Sequence, residues 1–342
     1  MIKVKIYELE KHRNETTFRP YIQVKNILSD VGIEFVTGDT YDFAWIGQAS
    51  YLNKKVSLQQ SIEDGLKFLS GIAGDYMLFD GQDATTLIGS YDVFKESNAL
   101  LLLKNTMLKD RSLYKQKWVN GRYYWGEGNY VCEEFNKYSD RIKLSGTNWL
   151  STVNPTWYNN IPKTYDVSAL FSYPTLTPVY EHGLHQSKAY DKFRTPCVNI
   201  VNKLKCKVTK LENGVKLSQQ EYYNKMSQSK IILAPFGYGE MAPRDIEATM
   251  FGSILIKPDM SYIDSEPMWY EDGKTYITCK HDFSDLEEKI DYVLCNFDNL
   301  QKTMVLYAKH KFIDLYRPEN IEINIYNIFK NLRASCNVCY TL

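Results

Sequence analysis

The stretch from Lys230 to Pro258 constrains the fold of this chain more than any other, because one short run holds a strand, a glycine-containing turn, a helix and a second strand. Ile231–Leu233 is an apolar run typical of a buried parallel strand, and it stops before Pro235. Pro243 suits the first position of a helix, and Gly252 is placed to end that helix. A strand, a glycine turn and a helix start together direct unpaired backbone N–H groups past the strand end, which favours an anion such as phosphate.

Arg244 and Glu247 make this prediction more specific. Their spacing of three residues places them on the same side of the predicted helix. An arginine beside a helix N-terminus suits a diphosphate, and a carboxylate one turn later suits the hydroxyls of a ribose. The alternative is an ordinary exposed ion pair on an α/β helix, and the spacing by itself does not separate the two.

The residues of this stretch resemble those of a known family. Residues 229–256 contain Ser-Lys before a strand, a Pro/Gly loop, the pattern Pro-Arg-x-x-Glu-Ala, a glycine and an apolar strand. This order is similar to the donor-sugar region of GT-B glycosyltransferases and most resembles their exostosin-like branch, with bacterial or viral relatives. The matching positions are Ser229, Lys230, Pro235, Gly237, Pro243, Arg244, Glu247, Ala248, Gly252 and Ile254 to Ile256.

The resemblance implies roles for individual residues. In the family this helix start holds the diphosphate of a nucleotide sugar and the carboxylate holds the ribose, so those roles are implied for Arg244 and Glu247. The loop between strand and helix belongs to the same donor site, and the implied contacts are Phe236, Gly237, Tyr238 and Gly239. Phe236, Tyr238 and Glu240 depart from the residues expected in this loop, so the nucleotide and the sugar stay open, with a UDP- or GDP-sugar expected.

Composition limits the class of protein. A chain of 342 residues fits two domains, and its 41 basic and 41 acidic residues give no reason to expect nucleic acid or an anionic membrane as a partner. Seven cysteines without framework spacing indicate a reducing compartment. Cys336 and Cys339 form a C-x-x-C with no second pair, so we expect no metal site there. The absence of a signal peptide and of a long apolar run predicts a soluble cytoplasmic protein without a membrane span.

Alternating strand and helix patterns predict an α/β fold, and the resemblance implies two Rossmann-like domains that face each other across a cleft. We expect an acceptor-binding domain at residues 1–150 and a nucleotide-sugar-binding domain at residues 163–315. Residues 316–342 are expected to form a final helix and tail that pack back on the first domain, as is common in GT-B enzymes.

Three carboxylates of the first domain are candidates for a general base. Asp80 and Asp83 follow the predicted strand Asp75–Phe79, and Glu10 lies in the polar loop after the first predicted strand. Carboxylates at the carboxyl end of such a strand face the ligand crevice, where one could take a proton from an acceptor hydroxyl. The alternative is an Asp-Gly turn in which Asp83 caps the segment that follows.

Further donor contacts are predicted from position in the second domain. Ser172 and His185 lie in the loop after a predicted strand, and Arg194 lies in the next predicted helix, which Pro196 could restrict to the residues after it. This loop would face the nucleotide from the side opposite Arg244. Each of the three could equally be a solvated surface residue.

These observations predict a glycosyltransferase, with a hexose or pentose as the moved sugar, that acts from a nucleotide sugar on a hydroxyl of a glycan acceptor. We expect no cofactor, and no metal because the chain lacks an Asp-x-Asp pair. The resemblance implies inversion at the anomeric carbon. Two alternatives stay open, a nucleotide-sugar epimerase and a catalytically silent nucleotide-sugar-binding subunit.

Overall fold

The computed structural model describes residues 1–7, 14–30, 32–53, 56–82, 84–116, 131–148, 150, 153, 155–158, 161–172, 186–211, 217–237 and 239–336. The chain divides into two compact units. The first contains Met1–Thr152, Ile263–Pro267 and Tyr316–Leu342, and the second contains Val153–Tyr262 and Met268–Leu315. The expected division did not include the return of Ile263–Pro267 to the first unit.

The first half of the chain alternates strands and helices. Its strands are β1 (Ile2–Tyr7), β2 (Ile33–Val36), β3 (Phe43–Gly47), β4 (Asp75–Asp80), β5 (Leu102–Lys104), β6 (Thr106–Leu108) and β7 (Ile142–Leu144). Its helices are α1 (Asn14–Gln23), α2 (Lys25–Asp30), α3 (Gln48–Tyr51), α4 (Leu58–Leu69), α5 (Ser90–Glu96) and α6 (Phe135–Tyr138), with 3-10 turns at Arg111–Lys115 and Ser139–Arg141.

The second half continues the alternation. Its strands are β8 (Tyr165–Ala169), β9 (Val208–Lys210), β10 (Ser229–Leu233), β11 (Ile254–Pro258), β12 (Ile263–Ser265) and β13 (Ile277–Cys279). Its helices are α7 (Gln186–Val201), α8 (Gln219–Ser227), α9 (Pro243–Met250), α10 (Leu286–Leu300), α11 (Leu306–Leu315) and α12 (Pro318–Cys336), and a π-helical turn, Gln301–Val305, joins α10 to α11.

The first unit is organised around a six-stranded sheet in the order β2-β1-β3-β4-β5-β7, and all of its neighbouring strands are parallel. Every residue of β3 is buried, as expected for a strand covered on both faces. Trp45 of β3 packs against Phe79 of β4 and Tyr21 of α1, with ring centroids 5.2 Å away in both cases. Large aromatic side chains therefore fill the core on this side of the sheet.

The C-terminal helix α12 belongs to this first unit. Its Ile321, Ile325 and Ile328 are buried in the same core as Val4 and Trp45. The strand β12 also belongs to it, because it pairs antiparallel with β6. Two segments distant in sequence thus complete the N-terminal unit.

The second unit has a five-stranded parallel sheet in the order β13-β11-β10-β8-β9. Its core is mostly aliphatic, with Val167, Ile231, Ile254 and Ile256 from the strands and Leu286 from α10. Each unit is therefore a Rossmann-like α/β domain. Among the described residues, no helix has the length and apolar character needed to cross a membrane.

Local sequence explains where the helices of the second unit begin and end. At α8, Ser218 accepts from the Glu221 backbone N–H at 3.2 Å while Glu221 accepts from the Ser218 N–H at 2.8 Å, which is a reciprocal capping box. At α9, Pro243 occupies the first helical position. Gly252, with a φ of 67°, follows the end of α9 in the left-handed conformation that favours glycine.

The elements differ from the sequence pattern in two places, and one open alternative is excluded. The segment from Asn129 to Pro162 has no sustained periodicity in its sequence, which predicts an irregular connection, yet it contains the edge strand β7. The polar loop expected up to Arg19 gives way to helix α1 at Asn14. Helix α7 continues through Pro196, because Cys197 and Val201 on its far side are buried in the core and hold the helix on the sheet.

Candidate functional site

The candidate site lies in the second unit, where β8 and β10 end. These strands are parallel neighbours, with Ile231 paired to Val167, so the loops that follow them emerge at the same edge of the sheet. The loop after β10 leads into the N-terminus of α9. Asp245 fixes this first turn, since its carboxylate accepts from the Ala242 backbone N–H at 3.0 Å. The stretch that the sequence singled out thus forms a strand, a loop and an oriented helix start.

Arg244 connects this helix start to the end of β8. Its Nη2 donates to the carbonyl oxygen of Leu170 at 3.0 Å, and its Nε donates to the Tyr222 hydroxyl at 3.3 Å. The guanidinium lies 6.0 Å from the centroid of the Phe171 ring. A guanidinium has five N–H donors, and within the described chain these two bonds are the ones that Arg244 makes. The remaining N–H groups are available to an anion.

Glu247 and Arg244 are joined through Tyr222. The Tyr222 hydroxyl donates to Oε2 of Glu247 at 2.9 Å and accepts from Arg244, and no direct ion pair between the two charged residues occurs among the described contacts. Burial raises the pKa of the Glu247 carboxyl, while the hydrogen bond from Tyr222 and the charge of Arg244 act in the opposite direction. Both charged residues are half-buried, so the alternative of an exposed surface ion pair does not hold.

Arg194 of α7 is the second arginine of the site. It is 8% exposed, and its Nε donates to the Phe236 carbonyl oxygen at 3.0 Å while its Nη1 donates to the Ser172 carbonyl oxygen. Its guanidinium lies 5.8 Å from the Phe171 ring centroid, so the same ring adjoins both arginines. A Cβ atom at Gly237 would lie 2.7 Å from Nη2 of Arg194, which gives a physical reason for glycine in this loop.

A buried ion pair lies at the first turn of α9. Lys257 of β11 and Asp245 are both essentially inaccessible, with Nζ 3.2 Å from Oδ1. The Tyr270 hydroxyl donates to the other carboxylate oxygen of Asp245. Burial lowers the pKa of Lys257, and the charge of Asp245 opposes that shift. Removing either partner would leave an uncompensated buried charge, so the pair couples the first turn of α9 to β11.

Of the other residues predicted to contact the donor, the structure describes Ser172, Phe236 and Gly239. Ser172 is exposed and offers its carbonyl oxygen to Arg194. Phe236 is buried, with Lys257 Nζ 5.2 Å from its ring centroid, so its ring packs inside the protein. Gly239 is also buried. Tyr238 and His185 lie outside the described residues.

Of the three carboxylates proposed as a general base, the structure describes Asp80. Asp80 is 1% exposed and forms an ion pair with the fully buried Lys104, with Nζ 3.2 Å from Oδ1. The same oxygen accepts from the Gln82 backbone N–H at 2.9 Å. An acceptor hydroxyl cannot reach Asp80 in this arrangement, which argues against it as the base. Asp83 and Glu10 lie outside the described residues, as does Cys339.

Sequence reasoning missed Tyr222 and Lys257. Tyr222 lies in α8, where a tyrosine beside a second tyrosine reads as an ordinary amphipathic pattern. Lys257 lies in an apolar strand. A lysine in a buried strand needs a partner of opposite charge, so its position in the sequence could have indicated a buried ion pair.

Comparison with known proteins agrees with this architecture. No family model matches the chain, and no curated protein matches its sequence. Among solved structures, Anabaena Alr3699/HepE in complex with UDP-glucose is 10% identical, with a TM-score of 0.51 over 96% of this chain and 100% of the other.

Two further structures align at lower TM-scores. An α1,3-fucosyltransferase is 14% identical, with a TM-score of 0.46 over 98% of this chain and 90% of the other. A glycosyltransferase from Rickettsia africae is 13% identical, with a TM-score of 0.42 over 96% of this chain and 98% of the other. The fold assignment rests on the Anabaena protein and on the two Rossmann-like sheets, and the chain has the α/β fold of GT-B type.

Proposed function

We propose that this protein is a glycosyltransferase that moves a sugar from a nucleotide-sugar donor to a hydroxyl of a glycan acceptor. The observation that carries the proposal is the arrangement of Arg244, Glu247 and Tyr222 at the N-terminus of α9, beside the end of β8. Arg194 adds a second guanidinium at the same strand end. The resemblance of residues 229–256 to the exostosin-like branch supports the same proposal.

Each group has a role in the proposed reaction. Arg244 and the backbone N–H groups of the helix start would hold the donor diphosphate, and Glu247 would accept hydrogen bonds from the ribose hydroxyls. Negative charge develops on the departing diphosphate while the sugar acquires oxocarbenium character. A preorganised hydrogen-bond donor of the protein that stabilises such charge contributes about 2.7 to 4 kcal/mol to transition-state stabilisation. The second unit is thus proposed as the donor-binding half and the first as the acceptor-binding half.

The finer points of the reaction are part of the proposal. We propose inversion without a metal ion, with Asp83 or Glu10 as the general base now that Asp80 is paired with Lys104. The Anabaena protein is described in complex with UDP-glucose, so UDP-glucose is the first donor to test. Whether the sugar is a hexose or a pentose is decided by the same donor series.

The test is a thermal-shift series with UDP, GDP and their sugars on the full chain and on Arg244→Ala and Glu247→Gln. A ligand at about 100 times its Kd stabilises the folded state by about 2.7 kcal/mol. We expect one nucleotide family to stabilise the parent and the exposed-site control Glu288→Ala, and to stabilise neither site variant. If every nucleotide leaves the parent unchanged, the donor-site assignment is wrong.

Incubation of the stabilising nucleotide sugar, with and without glycan acceptors, then separates transfer from its alternatives. Sugar transferred to an acceptor supports the proposal. Conversion of the donor into another nucleotide sugar without any acceptor would identify an epimerase, and binding without turnover across the acceptor series would identify a silent subunit.

A further inference from the structure

A cavity of about 490 Å³ lies within the first unit, beside the edge strand β7. This volume falls in the range of about 300 to 1,000 Å³ that is usual for small-molecule sites. Its walls come from the 3-10 turn Arg111–Lys115, from residues 135–144, from Glu266 and from α12. Two segments from the second half of the chain, Ile263–Pro267 and Tyr316–Leu342, belong to the first unit, and both contribute residues to the cavity.

The charged groups around this cavity are not satisfied by one another. Lys115, Lys143, Asp140 and Glu266 all line it, and no side chain of the four forms a hydrogen bond or ion pair with a residue in the described part of the chain. Lys143 and Glu266 are half-buried. A partly buried charge without a partner is costly, and a bound polar ligand that pairs with it removes that cost.

Basic side chains outnumber acidic ones in the cavity lining, with Arg111, Lys115 and Lys143 against Asp140 and Glu266. Arg111 is already neutralised, since its Nη2 lies 2.6 Å from Oδ2 of Asp264. Lys115 and Lys143 have no such carboxylate partner in the described part of the chain. Burial, followed by the neighbouring charge of Asp264, raises the pKa of the Glu266 carboxyl.

The remaining lining suits a hydroxyl-rich ring. Asn136, Asn324 and Asn327 provide amide donors and acceptors, and Ile142 and Ile328 provide apolar surface. The carboxylates of Asp140 and Glu266 can accept hydrogen bonds from sugar hydroxyls. A site for an anion without hydroxyls would not need such carboxylates. The same walls therefore offer contacts for both a charged substituent and the ring that carries it.

We propose that this cavity binds a sugar of the acceptor that carries an anionic group, a carboxylate or a phosphate, with Lys143 and Lys115 as the anion contacts. The inference rests on the proposed function, which places the acceptor on the first unit. It goes further by naming the chemical class of the acceptor and the residues that select it.

The experiment measures binding to the full chain by isothermal titration calorimetry with three matched disaccharides. These are cellobiouronate, cellobiose 6′-phosphate and neutral cellobiose, with inorganic phosphate as a competitor. We expect at least one acidic disaccharide to bind more than tenfold tighter than cellobiose, and the tighter of the two identifies the anionic group. Lys143→Gln should weaken that binding about tenfold, the loss that corresponds to about 1.4 kcal/mol.

Two controls make the result specific to the cavity. Lys25→Gln changes an exposed lysine of the same unit outside the cavity and should leave the affinity unchanged. The inference is overturned if cellobiose binds as tightly as its acidic derivatives, if Lys143→Gln binds them as well as the parent, or if inorganic phosphate displaces them at equal concentration.

Parallel titration with UDP separates this inference from the proposed function. If UDP binds and neither acidic disaccharide does, the cavity assignment fails and the donor site stands. If the acidic disaccharides bind at Lys143 and no nucleotide binds, the cavity's ligand class stands and the glycosyltransferase proposal fails.

Discussion

The Tyr222 hydroxyl connects the two charged residues of the candidate donor site, Arg244 and Glu247. Its hydroxyl accepts from Arg244 Nε at 3.3 Å and donates to Glu247 Oε2 at 2.9 Å. Burial raises the pKa of this hydroxyl, so it stays protonated and keeps its donor role. We regard Tyr222 as a positioning residue, because it acts on a ligand through its two partners.

Removing the Tyr222 hydroxyl should therefore affect ligand binding more than folding. In Tyr222→Phe we expect the Kd for the stabilising nucleotide sugar to rise about tenfold, since one hydrogen bond to a charged group is worth about 1.5 to 3 kcal/mol. The Tm without ligand should also fall, because the hydroxyl loses its hydrogen bonds to Arg244 and Glu247, while the packed ring limits the loss. The exposed Tyr292→Phe is the matched control, and an unchanged Kd in Tyr222→Phe would show that Glu247 is held without this hydroxyl.

At the scale of secondary-structure elements, Lys163 ties together the ends of two helices. Its Nζ donates to the carbonyl oxygen of Ser227, the last residue of α8, at 2.9 Å, and to that of Phe251, just after α9, at 2.6 Å. A third donor reaches the Ser253 hydroxyl at 3.1 Å. Helix C-termini favour a cation, whereas burial lowers the pKa of the Lys163 ammonium to about 7.

This opposition predicts a pH dependence of stability. When the folded pKa is near 7 and the unfolded value is 10.5, the unfolded chain binds more protons between those values, so the free energy of unfolding rises with pH across that window. The contribution is at most about 1.4 kcal/mol per pH unit for one proton. Below pH 7 both states bind the proton, and the cost of burying the charge is fully present.

Urea denaturation between pH 6.5 and 9.5 checks this expectation. We expect Lys163→Met to flatten the rise seen in the parent, while the same change at the exposed Lys280 leaves the rise intact. Parallel profiles for the parent and Lys163→Met would mean that the two helix ends outweigh burial and keep the ammonium charged throughout.

At the scale of the whole molecule, the last helix stabilises the first unit from the far end of the chain. Ile325 is fully buried in the core that contains Val4 and Trp45. Ile325→Ala should destabilise the first unit by about 2 to 5 kcal/mol, the usual cost of a buried isoleucine replaced by alanine. Hydrogen exchange should then accelerate in β1 and β3 and stay unchanged in β10 and β11.

The matched control for this change lies on the same helix. Ile323 is 55% exposed, so Ile323→Ala removes the same side chain without leaving a cavity. Equal exchange in β1 for the two variants would show that α12 does not contribute to the stability of the first unit.

Several features followed from sequence because they depend on neighbours in the chain. The apolar run Ile231–Leu233, Pro243 at the start of α9 and Gly252 after its end act through local burial pattern and backbone geometry, and they placed β10, α9 and β11 correctly. The spacing of Arg244 and Glu247 likewise placed both on one side of a helix. The sequence by itself therefore determined the α/β class, most of the elements and the stretch that holds the candidate donor site.

Other features were decided only by tertiary structure. Tyr222 bridges Arg244 and Glu247 because β10 brings α8 beside α9, and Lys104 covers Asp80 because β5 pairs with β4. The acidic and basic residues of the cavity in the first unit come from segments more than a hundred residues apart, such as Lys143 and Glu266. Sequence patterns report the burial of a residue within its own element, whereas its partner across the fold depends on which elements pack together.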